Sequence, residues 1–327
     1  MSSFFILFVI FLALAFDFTN GFHDAANSIA TIVATDVLTP LQAVLWAAFF
    51  NFIAFLFFKL AVANTIGTGL IHPNTVSTHL VFAALMSAII WNIVTWYFGL
   101  PSSSSHALIG GLAGAAFAKG GMHALELSGF IKVTATIILS PFIGLFAGFV
   151  LTFFVTRVTK HNSEATNHWW FKRIQLISSA LLSLSHGSND AQKTMGLIAV
   201  LLYSSSWLGN RFYVPIWVVI SCYSMIALGT LAGGWRIVHT MGKKITHLNT
   251  LRGSCAEAGA AMVIFAATDF GMPISTTYTV TGSIAGVGLS QSFLGVQWSV
   301  LHKIFLTWVF TIPATAIIAA ALMLIGK

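Results

Sequence analysis

Apolar runs close to or above the ~20 residues that cross a hydrocarbon core recur along this chain from end to end. They are broken only by short stretches of Gly, Pro, Ser, Thr, Asn and His. Of its 327 residues 57% are hydrophobic and only 7% charged, against about 25% charged in an ordinary soluble domain, so no water-facing surface can be built from this material. The pattern predicts an all-α integral membrane protein with about ten membrane-embedded helical segments. The first run, Phe4 to Phe16, has no Lys or Arg before it and no small-residue cleavage site after it, so it reads as a first span rather than a signal peptide. Cys222 and Cys255 lie inside apolar stretches without metal-ligand spacing and read as packing residues.

The formal net charge is +7, but the basic residues are scattered at span ends rather than massed in a patch, which argues against nucleic acid as a partner. Their use is orientation. Arg157, Lys160, Lys172 and Arg173 mark a cytoplasmic loop by the positive-inside rule, and Arg236, Lys243, Lys244 and Arg252 mark a second.

Compared with itself, the chain matches twice. GFHDAAN at Gly21 to Asn27 pairs with GSNDAQK at Gly187 to Lys193, and GLPSSSSHALIGGLAG at Gly99 to Gly114 pairs with GMPISTTYTVTGSIAG at Gly271 to Gly286. The offsets are 166 and 172 residues, so one order of elements occurs twice. This divides the chain into a first transmembrane repeat (1–156), a basic cytoplasmic linker (157–173) and a second repeat (174–327). The segment from Asn64 to Thr78 carries no Lys or Arg, whereas its positional counterpart around Arg236 to Arg252 carries four. Opposite charge bias at equivalent loops predicts repeats of inverted orientation, although Lys119 and Lys132 run against the trend.

Irregular backbone at membrane depth survives only inside protein or along a wet cavity, and the four motifs read as such segments. Phe4 to Ala34 and Ile174 to Tyr203 are each too long for one straight span and carry Gly and Asp midway, so each reads as a broken helix pair. An aspartate in a span costs about 2.5 to 3.5 kcal/mol on insertion scales, so Asp24 and Asp190 need partners or a task. Capping of a second half-helix is the plain alternative, but duplication, with Asn27 and Asn189 nearby, favours an oxygen-rich cation site, Na⁺ fitting at Asp24 and Asp190. The second motif pair places Pro ahead of hydroxyl runs, Ser103, Ser104 and Ser105 in one half and Ser275, Thr276 and Thr277 in the other. Pro and Ser/Thr favour a helix start, where free N–H groups and the positive dipole end attract an anion. An anion about 5 Å from a carboxylate is repelled by roughly 3 kcal/mol at an effective dielectric of about 20, so an anion site beside two aspartates demands cations. Asp17, Asn51, His106 and Glu257 fall within or beside spans as pathway or coupling candidates, with Asn20, Asn92, Gln175 and His186. His23 and His186 lack a second His at metal spacing, which argues against zinc. Gly110, Gly111, Gly114, Gly282 and Gly286 predict close helix approach.

The segments AFDFTNGFHDAANSIAT (Ala15 to Thr31), LSHGSNDAQKTMG (Leu184 to Gly196), GLPSSSSH and GMPISTTY resemble the inorganic phosphate transporter (PiT) family, over nearly the whole chain. The resemblance implies a multi-pass symporter of inorganic phosphate driven by Na⁺ or H⁺, with inverted repeats and re-entrant helical hairpins holding substrate near the midplane of the bilayer. It carries cation ligation to Asp24, Asn27, Asn189 and Asp190, phosphate binding to the two hydroxyl runs, and implies no cofactor beyond the coupling ion. It also implies a homodimer in a plasma membrane, and the short central loop points to a prokaryotic inner membrane. Glu257 matches a glutamate of the family's second half, with Asn51 the polar residue of the equivalent first-half stretch. Two departures stand out: Tyr278 replaces a family His while His106 is kept, and HDAAN differs from NDAQK, so the two cation sites need not be equivalent.

An intramembrane hydrolase built on His23, Asp24 and His186 fits poorly, because catalytic constellations are single and asymmetric whereas this polar set is duplicated. A transporter or channel for another oxyanion such as sulfate stays open, since a hydroxyl cage accepts tetrahedral anions generally.

Overall fold

The structure is a computed structural model and describes residues 3–70, 75–209 and 211–325. The described residues form twelve α-helices, with no β-sheet among them. The first half contains α1 (Ser3–Ala34), α2 (Pro40–Ile53), α3 (Ala61–Gly69), α4 (Thr78–Tyr97), α5 (Ser104–Gly120) and α6 (Leu127–Val158). The second contains α7 (Glu164–Ser204), α8 (Ile216–Ala232), α9 (Trp235–Lys243), α10 (Thr250–Asp269), α11 (Thr276–Leu289) and α12 (Trp298–Ile325). Helices α1, α4, α6 and α12 are each long and apolar enough to cross a bilayer. Two further spans form if bent pairs are joined, α2 with α3 (81°) and α8 with α9 (74°). With α5, α7, α10 and α11 the embedded segments come to about ten, as the apolar runs imply.

The broken helices therefore occur, but not where the Asp motifs lie. Both α1 and α7 run unbroken through them. The glycines that read as breaks are crossing points instead: a Cβ on Gly21 would collide with the Ile226 carbonyl of α8, and one on Gly187 with the Asn51 carbonyl of α2. Excess length is absorbed differently. At about 1.5 Å per residue α7 exceeds a ~30 Å core, and its first turns carry exposed Trp169 and Trp170, with the Arg173 guanidinium 3.5 Å from the Trp169 ring. The segment from Arg157 to Arg173 is consequently mostly helix, the ends of α6 and α7, with only 159–163 between them. The second basic stretch is likewise largely α9 and the start of α10.

Packing between the halves is reciprocal. α1 lies on α8 as α7 lies on α2, α9 lies on α1 as α3 lies on α7, and α5 packs on α12 as α11 packs on α6. The last pairing rests on the predicted glycines. A Cβ at Gly110 or Gly114 would strike the Ile312 or Ala316 carbonyl of α12, and one at Gly282 or Gly286 the Pro141 or Leu145 carbonyl of α6. Two apolar clusters fill the interior, one around Ile10, Leu85, Ile109 and Ile198, the other around Ile29, Val44, Ala260 and Ile284, each drawing on both halves. The outer faces of α6 and α12 expose Phe142, Phe146, Phe310 and Ile317, the surface expected against lipid.

The α4–α5 and α10–α11 pairs are hairpins whose tips are buried. α4 ends with Gly99 at φ 65° and bonds from Leu100 N to the Thr95 carbonyl (2.9 Å) and from Gly99 N to the Trp96 carbonyl (2.9 Å). α10 ends alike, with Gly271 at φ 66° and bonds from Met272 N to Ala267 O (2.8 Å) and Gly271 N to Thr268 O (3.0 Å). The left-handed glycine closes each helix, and the following Pro keeps the chain extended until Ser103 or Ser275 starts the next. At 17 and 14 residues, α5 and α11 are about 25 and 21 Å long, short of a ~30 Å core, as for re-entrant helices.

Candidate functional site

On α1 the buried polar residues Asp17, Asn20, Asp24, Asn27 and Thr31 recur every three or four positions, and on α7 Gln175, Ser179, Ser183, His186, Asp190 and Lys193 do the same. Each set forms a stripe on one helix face, and the two helices pack against each other. One ligand atom from each of Asp24, His186 and Asp190 lies within 4.8 Å of the others. Two carboxylates at that separation repel by about 3.5 kcal/mol at an effective dielectric of about 20, so the centre attracts positive charge.

Both hairpin tips meet this centre. Ser103 and Ser275 are the N-caps of α5 and α11, accepting from His106 N (3.3 Å) and Tyr278 N (3.2 Å). Capping therefore uses one lone pair of these two hydroxyls and leaves the O–H free to donate. Thr276 Oγ1 donates to Asp190 Oδ2 (2.9 Å), and Asn27 Nδ2 donates to Thr277 Oγ1 (3.0 Å) and, more weakly, Thr276 Oγ1 (3.4 Å). Ser104 Oγ is buried without a hydrogen bond to the protein, as are the amide oxygens Asn27 Oδ1 and Asn189 Oδ1. Buried polar atoms are rarely left so, and here acceptor oxygens lie on the helices and a donor hydroxyl at a helix start, the complement a cation and an anion require. Asn189 Nδ2 donates to Thr268 Oγ1 (2.9 Å), and His23 lies with Nδ1 2.6 Å from Asp24 Oδ1 and Nε2 3.1 Å from Thr95 Oγ1. With Asp24 ionised, Nδ1 carries the proton and the ring orients the carboxylate.

Of the hydroxyl, amide and carboxylate residues singled out above, the structure links Asp24, Asn27, Asp190, Ser105, Thr276 and Thr277 into one cluster, with His186 and Lys193 completing the links, while Ser103 and Ser275 stand at the tips as caps and Asn189 turns its amide nitrogen toward α10. Asp17 is buried two turns before Asp24, accepting from Thr194 Oγ1 (2.5 Å). His106 lies behind the α5 tip, stacked on Tyr278 (centroids 4.3 Å apart), which stacks on Trp308 (3.9 Å). Asn51 and Glu257 are not counterparts. Asn51 belongs to α2, where it donates to Thr230 (3.0 Å) and lies 3.2 Å from His186 Nδ1, whereas Glu257 belongs to α10, whose counterpart is α4. Glu257 accepts from Thr31 Oγ1 (2.6 Å), Gln175 Nε2 (3.0 Å) and Ser178 Oγ (2.5 Å), tying α1 and α7 to α10.

One participant, Lys193, escaped sequence reasoning, and another, His186, was expected only along the pathway. His186 joins the aspartates because it precedes Asp190 by one helical turn, its Nε2 3.2 Å from Asp190 Oδ2. Lys193 is buried with Nζ 2.5 Å from Asp190 Oδ1, 2.5 Å from Ser105 Oγ and 2.7 Å from the Ile274 carbonyl. The signal was present: a lysine inside an apolar run, three residues after a carboxylate.

Helical hairpins from two like halves, meeting tip to tip over buried carboxylates, define the architecture of a membrane transporter. The chain belongs to the phosphate transporter family, whose description matches residues 20–169 and again 157–319. It is 56% identical over 312 residues to a probable low-affinity inorganic phosphate transporter of Rhizobium meliloti, covering 95% of this chain and 93% of that one. It is 42% identical to the protein of the same description in Bacillus subtilis, covering 96% and 95%. Among solved structures, one described as the sodium-dependent phosphate transporter superposes with a TM-score of 0.87 over 98% of both chains at 24% identity, a likeness of fold. The family is one of transporters, not enzymes, and the chain is, like its bacterial relatives, a multi-pass protein of the plasma membrane.

Proposed function

We propose that this protein carries inorganic phosphate across the membrane by symport with Na⁺ or H⁺, the two repeats lying inverted about a substrate held near the midplane. The observation that carries the reading is the meeting of two hydroxyl-bearing helix starts, at Ser103 and Ser275, with the Asp24 and Asp190 carboxylates of the crossing helices. In it, Ser104 and the neighbouring hydroxyls Ser103, Ser105, Ser275 and Thr277 donate to phosphate oxygens, joined by Thr276 when its O–H turns from Asp190, and helped by the free N–H groups of α5 and α11. Asp24 and Asn27 on one side, and Asn189 and Asp190 on the other, hold positive charge, which offsets the repulsion between carboxylates and anion. Asp17, Asn51, His106 and Glu257 line or brace the path. The relatives' descriptions as inorganic phosphate transporters favour phosphate over other tetrahedral anions.

The test is uptake of radiolabelled phosphate into proteoliposomes under an imposed Na⁺ gradient and, separately, an imposed pH gradient. Accumulation driven by one of these, resistant to equimolar sulfate, is the expected result. Equal competition by sulfate would overturn the substrate assignment, and accumulation indifferent to both gradients would overturn the coupling.

A further inference from the structure

The two halves hold their aspartates alike and then diverge three residues later. Asp24 is followed by Asn27, and Asp190, at the same place 166 residues on, by Lys193. Each of these reaches to the tip hydroxyl of the opposite half's hairpin: Asn27 to Thr277 (3.0 Å) and Lys193 to Ser105 (2.5 Å), positions that correspond at the 172-residue offset. The pair is thus symmetric in position and opposite in electrical character. Around Lys193 Nζ stand a carboxylate oxygen (Asp190, 2.5 Å), a hydroxyl (Ser105, 2.5 Å) and a backbone carbonyl (Ile274, 2.7 Å). That is the donor set a hard monovalent cation selects. An ammonium has three N–H donors, and all three are taken by these oxygens, so none remains for an anion. At Asn27 the arrangement is reversed, since its Oδ1 is buried without a hydrogen bond to the protein and nothing on that side chain carries charge.

We propose that Lys193 is a tethered stand-in for the second coupling cation, so that this transporter takes one mobile cation, on the Asp24 and Asn27 side, where two symmetric sites would take two. Asp190 is neutralised by a charge that never leaves, and Asp24 by one that must arrive with the substrate. The consequence is a lower cation-to-phosphate ratio, hence a smaller concentrating power for a given gradient. This rests on the reading of the protein as a cation-coupled phosphate symporter.

The ratio can be read without reference to turnover rate, from the plateau of phosphate accumulation in proteoliposomes at a clamped zero membrane potential. Lys193→Asn copies the first half into the second, and under a tenfold gradient of the coupling ion one added cation raises the plateau by about tenfold over wild type. Lys193→Met removes the charge without offering an oxygen ligand, leaves Asp190 uncompensated, and is expected to be inactive at normal membrane levels. An active K193N with the wild-type plateau would overturn the inference, as would K193N and K193M proving equally active or equally inactive while both are inserted. Wild-type vesicles whose plateau ignores every cation gradient would instead remove the symport reading itself.

Discussion

Asp24 and Asp190 are sequence equivalents with different company, and their substitutions should differ accordingly. Asp24→Asn is expected to reduce gradient-driven uptake to background with an unchanged melting temperature in detergent, because His23 can still bond an amide there. Asp190→Asn should also abolish uptake, but in addition leave the Lys193 ammonium buried without its counter-charge, a loss of about 3 to 5 kcal/mol visible as a lower melting temperature. Equal melting temperatures for the two would contradict the pairing. Ser104→Ala removes a hydroxyl that bonds nothing in the protein, so stability should hold while the KM for phosphate rises about tenfold, the worth of one hydrogen bond to a charged ligand. Glu257 accepts from three donors on two other helices, and a Gln there must aim an NH₂ at one of them. A cost of about 1 to 3 kcal/mol in thermal unfolding is expected for Glu257→Gln.

The hairpin helices owe their position to small residues rather than to apolar side chains. Backbone of α5 meets backbone of α12, and α11 meets α6, at glycines where any Cβ would overlap a carbonyl. Overpacking of this kind typically costs 1 to 3 kcal/mol or more, and here it would also tilt the buried tip that carries the hydroxyls. Gly114→Val and Gly286→Val should therefore each reduce phosphate uptake sharply, with loss of a monodisperse peak in detergent chromatography. Normal uptake by either variant would mean that α5 and α11 do not sit where these contacts put them. The glycine spacing was legible in the sequence, and so was the function of Pro101 and Pro273 as the residues before each helix start. The continuity of α1 and α7 was not, because a glycine that permits a helix crossing and one that permits a break leave the same mark in a sequence.

Across the molecule, reciprocal packing means that neither half holds a complete core: α1 needs α8, α7 needs α2, and each hairpin helix needs the other half's last helix. A chain cut within 159–163, with both pieces expressed together, should reassemble and transport, whereas either piece alone should be degraded. Membrane class, duplication and the four motifs were all written along the chain, since they depend on local composition, and a hydrocarbon solvent leaves few ways to satisfy a backbone. Even the opposed electrical character of the two halves was visible as the difference between HDAAN and NDAQK. Which groups the lysine meets was decided only in three dimensions. Whether a buried lysine meets lipid headgroups, an anion or a carboxylate depends on which helix faces lie within about 3 Å of it, and those faces come from residues 3, 81 and 88 positions away. Contacts of that range follow from how rigid helices cross, through glycines and carbonyls, and no periodicity along the chain records them.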